Sequence, residues 1–155
     1  MRHLKIVLIA LFFVCAWCAC DIPSYAVPGE EKAAGVFEKI YAAAPVKNGV
    51  KEISYDKFIE LRKSGEKFIL IDCLSSDDYN LGHIDGAISM PLKTINVISA
   101  KSKIPAGSNV VVYCLSYGCR SSTEAAQKIS CYGHKVLDYK GGLDEWQQKG
   151  NALKK

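Results

Sequence analysis

The residues best equipped for chemistry lie between Val110 and Arg120, in the run V-V-V-Y-C-L-S-Y-G-C-R. Cys114 stands where an apolar run stops. Arg120 stands where a helical pattern, Ser121 to Ala126, starts. A short loop between a buried strand and a helix can curl its backbone N–H groups inward, and the helix N-terminus adds the positive end of its dipole. Such a cradle, built from Leu115, Ser116, Tyr117, Gly118, Cys119 and Arg120, holds an anion and favours a thiolate on Cys114. The plainer alternative is a small apolar cysteine closing a core strand beside a solvated arginine, since free cysteine is often buried.

Elements that would position this loop can be read on either side of it. Phe68 to Ile71 is a short continuous apolar run of the kind buried on both faces of a parallel sheet. Val110 to Tyr113 and Lys135 to Tyr139 have the same character, and Ile88 to Met90 is a shorter strand stopped by Pro91. Between them fall helical patterns: Tyr55, Phe58, Ile59 and Arg62 after an N-cap at Ser54; one turn at Ser76 to Tyr79; Arg120 to Cys131; and Leu143 to Lys149. The stretch from Leu92 to Lys103 is ambiguous, with a helix around Ile95 to Ala100 as one reading. Alternating strands and helices predict an α/β fold, an open parallel sheet flanked by helices. Ligands of such sheets bind beyond the carboxyl ends of the strands. Asp72-Cys73, Cys114 and Tyr139 all fall at such ends, which points to one site there.

The chain has 155 residues and a net charge of +4, enough for one domain and too weakly basic to argue for nucleic acid as a partner. Its beginning reads as a targeting segment. Arg2 and Lys5 precede an apolar run from Ile6 to Trp17, Pro23 breaks the pattern, and Ser24-Tyr25-Ala26 offers small residues before a cut. We therefore expect a signal peptide over residues 1–26, an N-terminal extension over 27–50 and the main domain over 51–155. The expected location is periplasmic or secreted, with no membrane attachment once the signal is removed. The apolar run is short for a membrane anchor. Lipoprotein processing at Cys15, Cys18 or Cys20 is less favoured, because Trp17 and Cys18 occupy the places ahead of Cys20 where a leucine and a small residue are wanted. In the extension, Ala34, Phe37, Ile40 and Tyr41 recur at helical spacing within residues 30–44, which predicts a helix packed on the outside of the domain and carrying no chemistry.

Of seven cysteines, Cys73, Cys114, Cys119 and Cys131 lie beyond the signal. Export favours disulfides, but sequence alone does not choose among the pairings. No C-x-x-C pair occurs in this part, so a zinc site is weak; no metal and no cofactor are expected.

Three pieces of the chain, between Glu52 and Lys149, resemble a single-domain rhodanese, the sulfurtransferase family. The first is Leu70-Ile71-Asp72 with Asp78-Tyr79, then Gly82-His83-Ile84-Asp85-Gly86-Ala87-Ile88 and Pro91. The second is Val111-Val112-Tyr113-Cys114. The third is Tyr139-Lys140-Gly141-Gly142-Leu143-Asp144-Glu145-Trp146. The resemblance implies a rhodanese-like sheet, Cys114 as nucleophile, and supporting roles for Asp72, His83, Gly141 and Gly142. Gly141-Gly142 lets backbone approach the catalytic loop, and His83 is expected to be a structural hydrogen-bonding residue rather than a base. Three departures stand out. Leu74 replaces the family's usual arginine. The loop from Cys114 to Arg120 spans seven residues, one more than in most sulfurtransferases, and resembles the C-x5-R cradle of rhodanese-fold phosphatases and arsenate reductases. Cys119 within the loop belongs to neither pattern.

The function implied is sulfur transfer. Cys114 takes a sulfane sulfur from a thiosulfate-like donor and passes it from a persulfide to a thiol or cyanide. Phosphatase or arsenate chemistry on the longer loop is an alternative, and so is a non-catalytic redox-sensing or binding module. Cys114 and Cys119 bracket one tight loop, so their Cα atoms can come within disulfide range, about 4.4–6.8 Å. With suitable Cβ directions Cys119 is a resolving cysteine; without them it is a small loop residue.

Overall fold

The computed structural model describes residues 34–155. The signal expected over residues 1–26 and the start of the extension lie outside the described residues. Six strands form one sheet in the order β1-β2-β6-β5-β3-β4. They are β1 (Val46–Lys47), β2 (Val50–Ile53), β3 (Ile69–Asp72), β4 (Ala87–Ser89), β5 (Asn109–Tyr113) and β6 (Lys135–Tyr139). All neighbours are parallel except the β1–β2 hairpin at the edge, whose turn Asn48-Gly49 takes positive φ at both positions. That hairpin carries residues on both sides of position 50 into the sheet.

The helices are α1 (Val36–Ala43), α2 (Tyr55–Lys63), α3 (Ser76–Leu81), α4 (Val97–Lys103), α5 (Ser121–Cys131) and α6 (Gly142–Gln148). None among the described residues is long and apolar enough to cross a membrane. Within Leu92 to Lys103, a 3-10 turn at Leu92–Thr94 precedes α4. Asn96 caps that helix by accepting from the Ile98 and Ser99 amides.

Successive strand residues point to opposite faces, and here both faces are buried. Leu70, Val111, Tyr113, Leu137 and Tyr139 join Phe37 and Ile40 of α1, Phe58 and Leu61 of α2, and Leu143 and Trp146 of α6. Ile71, Val110, Val112 and Val136 join Ala100 of α4 and Ala125, Ala126 and Ile129 of α5. Two-sided burial is why these strands read as unbroken apolar runs.

The extension is more firmly held than its sequence suggests. Phe37 is fully buried. The Glu66 carboxylate accepts from the backbone amides of Val36 and Phe37, which satisfies the start of α1 in place of a capping side chain. Lys135 of β6 pairs with Glu38 at 2.7 Å.

Candidate active site

The parallel register sets Ile53, Tyr139, Tyr113 and Asp72 abreast at the carboxyl edge of the sheet. Cys114 follows Tyr113 directly and is buried. Residues 115–120 form the loop, and α5 starts at Ser121. The loop closes on itself covalently: Cys114 Sγ and Cys119 Sγ form a disulfide, with Cα atoms 6.4 Å apart. Inside it, the Cys119 amide donates to the Ser116 carbonyl at 3.0 Å. Among the described residues, no protein acceptor takes the amides of Leu115, Ser116, Tyr117, Gly118 or Arg120, so these donors are available to an anion.

Two carbonyls at the start of the loop are taken by α6. Leu143 and Asp144, in the first turn of α6, donate to the carbonyls of Cys114 at 3.1 Å and Leu115 at 2.9 Å. Gly142 makes this approach possible. Its φ is +61°, and a Cβ there would sit 2.3 Å from the Cys114 carbonyl oxygen. A Cβ on Gly141 would instead meet the side chain of Glu145. That carboxylate lies by the hydroxyls of Tyr117 and Tyr139, and after burial its charge is the next cause holding both phenols above their ordinary value.

The far end of the loop rests on a polar chain that the sequence reading missed. Lys140, just past β6, donates its ammonium to the Cys119 carbonyl at 2.5 Å and to Thr123 Oγ1 at 3.0 Å. Thr123, in the first turn of α5, donates to the Asp138 carboxylate at 3.0 Å. Asp138 is wholly buried, and burial raises its pKa above the ordinary 3.8. A signal was available: Asp138 and Lys140 interrupt or follow an apolar strand, and a buried charge needs partners.

Other expected residues are placed elsewhere. Arg120 is exposed; its carbonyl accepts from the Glu124 amide at 3.0 Å, and its side chain makes no hydrogen bond or ion pair among the described residues. Asp72 is buried at the end of β3, where it accepts from the Leu74 amide at 2.8 Å, and burial raises its pKa. Leu74 itself packs against the core. His83 stacks on Tyr79 with ring centroids 3.9 Å apart, its Nδ1 lies 3.1 Å from the Tyr79 carbonyl, and its backbone bridges to Lys154. Neither Asp72 nor His83 bonds to the loop. Cys73 is buried, and burial holds its thiol well above 9.0, in the unreactive protonated form. Among the described residues no group of His, Cys, Asp or Glu is arranged to hold a metal ion.

A family model described as a rhodanese-like domain matches residues 54–149. The probable adenylyltransferase/sulfurtransferase MoeZ of Mycobacterium tuberculosis is 30% identical over 86 residues, covering 56% of this chain and 22% of that protein. The HTH-type transcriptional regulator Rv0324 of the same organism is 26% identical over 110 residues, covering 70% of this chain and 47% of that protein. The chain thus spans less than half the length of either relative. Among solved structures, the BH2092 protein of Bacillus halodurans superposes with a TM-score of 0.61 at 28% identity, covering 66% of this chain and 75% of that one. The rhodanese-like domain of the Anabaena Alr3790 protein gives a TM-score of 0.58 at 25% identity, covering 66% and 77%.

Proposed function

This chain belongs to the rhodanese-like domain family, and on that premise we propose that it is an exported sulfurtransferase working through a Cys114 persulfide. The observation that carries the reading is the position of Cys114: at the carboxyl end of a central strand, opening a loop in which five amides lack protein acceptors among the described residues. In the reduced protein the Cys114 thiolate attacks the outer sulfur of a thiosulfate-like donor. A new S–S bond forms, the donor's S–S bond breaks, and sulfite leaves with the electron pair. The loop amides hold the anion through this exchange. A thiol or cyanide then takes the outer sulfur and returns Cys114 as thiolate, so that one transfer is split into two easier ones.

Cys119 gives the persulfide a second exit. Its thiolate can attack Cys114 Sγ, forming the Cys114–Cys119 disulfide and expelling hydrosulfide. A dithiol reductant must then reopen the disulfide. This accounts for the cysteine inside the loop and makes turnover depend on reductant.

The seven-residue loop also suits tetrahedral oxyanions. Against phosphatase or arsenate chemistry stands Arg120, whose exposed guanidinium has no hydrogen-bond or ion-pair partner among the described residues to hold it over the cradle. The deciding experiment is intact-mass analysis of the reduced protein after thiosulfate. A gain of one sulfur atom that is absent in Cys114→Ser supports the reading. No gain, together with hydrolysis of a small aryl phosphate that requires Cys114, replaces it with the oxyanion reading. A disulfide that resists mild reductant replaces both with a structural one.

A further inference from the structure

Beside the loop lies a cavity of about 450 Å³, walled by the extension. It opens at the carboxyl ends of β2 and β6, the edge where parallel sheets bind ligands. Ile40 and Ala44 of the extension and Ile53 of β2 give it apolar walls. Tyr117 and Lys140 connect it to the Cys114 loop, one as a loop residue and the other through the Cys119 carbonyl. The volume is in the range that takes an organic molecule and far exceeds what thiosulfate or cyanide needs.

The charges at its rim do not cancel. Lys47 pairs with Glu52 at 3.3 Å and Lys57 with Glu60 at 2.7 Å. That leaves Lys39, which makes no ion pair among the described residues, and Lys140, whose direct partners are a neutral carbonyl and a hydroxyl. Asp138, behind Thr123, offsets part of the Lys140 charge, but the lining still holds four lysines to two glutamates, and apolar walls with a cationic rim suit an aliphatic body bearing an anionic group.

We propose that this cavity binds the sulfur acceptor, and that the acceptor is an aliphatic thiol with an anionic head. The assignment rests on the sulfur-transfer reading. With such a thiol seated, its thiolate attacks the outer sulfur of the Cys114 persulfide. The Cys114–sulfur bond breaks, Cys114 leaves as thiolate, and the product is the acceptor's hydropersulfide; no oxidant or reductant is consumed. The extension, for which the sequence predicts a plain outer helix, then decides which acceptor is used.

The test uses protein reduced with a dithiol and then freed of it. With thiosulfate as donor, mercaptohexanoate should show a KM about tenfold below those of mercaptohexanol, which lacks the charge, and mercaptopropionate, which lacks the apolar body. Ala43→Trp, at an exposed position on the cavity wall, and Lys39→Glu, at its exposed rim, should raise the KM for mercaptohexanoate and leave the far-UV circular dichroism unaltered. Octanoate, which has no thiol, should shift the backbone NMR signals of Ile40 and Ile53. Cyanide turnover separates the two readings. If cyanide accepts sulfur but the three thiols share one KM, the cavity is not the acceptor site, even should octanoate bind. If no acceptor supports turnover, sulfur transfer is wrong and the acceptor assignment falls with it. Octanoate shifts would then show only that the cavity takes organic anions.

Discussion

Cys114 and Cys119 are chemically identical and differently placed, and their roles follow from that difference. Cys114 is buried at the strand end, while Cys119 is partly exposed on the helix side, with its carbonyl held by Lys140. Replacing Cys114 by serine leaves a hydroxyl with no base beside it, so sulfur transfer should fall on the order of a thousandfold or more, measured as thiocyanate formed from thiosulfate and cyanide. Cys119→Ser should instead keep cyanide-dependent turnover while abolishing its need for dithiothreitol. An unchanged need would mean that Cys119 does not control the nucleophile. Cys73 makes a useful contrast. Its thiol is buried and held protonated, so iodoacetamide should leave it unmodified in the native protein and alkylate it once denaturant is added, as read by peptide mass analysis.

At the scale of elements, the loop is shaped by α6 as much as by β5. The α6 amides bind the loop carbonyls, and this needs a residue without a side chain at position 142. Gly142→Ala would force a left-handed φ on alanine and set its Cβ against the Cys114 carbonyl. The expected loss is about 1–3 kcal/mol in chemical denaturation, with a larger proportional loss of activity because the clash falls on the nucleophile's own peptide. The glycine pair was visible in the sequence as a point of close approach. Most elements were visible too, because two-sided burial makes the parallel strands apolar throughout and because Ser54 is an N-cap in the folded helix as it is in the pattern. The β1–β2 hairpin was not. Val46 and Lys47 are exposed at the sheet edge and carry no apolar alternation, so nothing in their pattern marks a strand. The polar chain from Asp138 to Cys119 was legible only as a need: a carboxylate in an apolar strand calls for partners but does not name them. It joins residues from β6, α5 and the loop, and no local spacing encodes such a meeting.

For the whole molecule, the buried carboxyls and the disulfide set how stability responds to conditions. Asp72 and Asp138 both have pKa values raised by burial above the ordinary 3.8. A carboxyl raised in this way binds its proton more tightly folded than unfolded. Its contribution is therefore complete below 3.8 and is lost as pH rises through the folded value. Asp138→Asn removes that dependence, so its Tm should decline less than the wild type's between about pH 4 and about pH 7. The disulfide acts on a smaller part of the chain. It closes a loop between cysteines only five positions apart, so it removes little freedom from the unfolded state, worth about 2 kcal/mol. The two apolar clusters on either face of the sheet contain neither Cys114 nor Cys119. Reduction should therefore lower Tm by about 4–8 °C and leave the fold intact. This separation is what a cycling bond requires: a disulfide that closes and reopens whenever the persulfide leaves through Cys119 cannot also be the support of the core. Scanning calorimetry of the protein with and without dithiothreitol measures it. A collapse of the transition on reduction would make the bond structural and would remove Cys119 from the reaction.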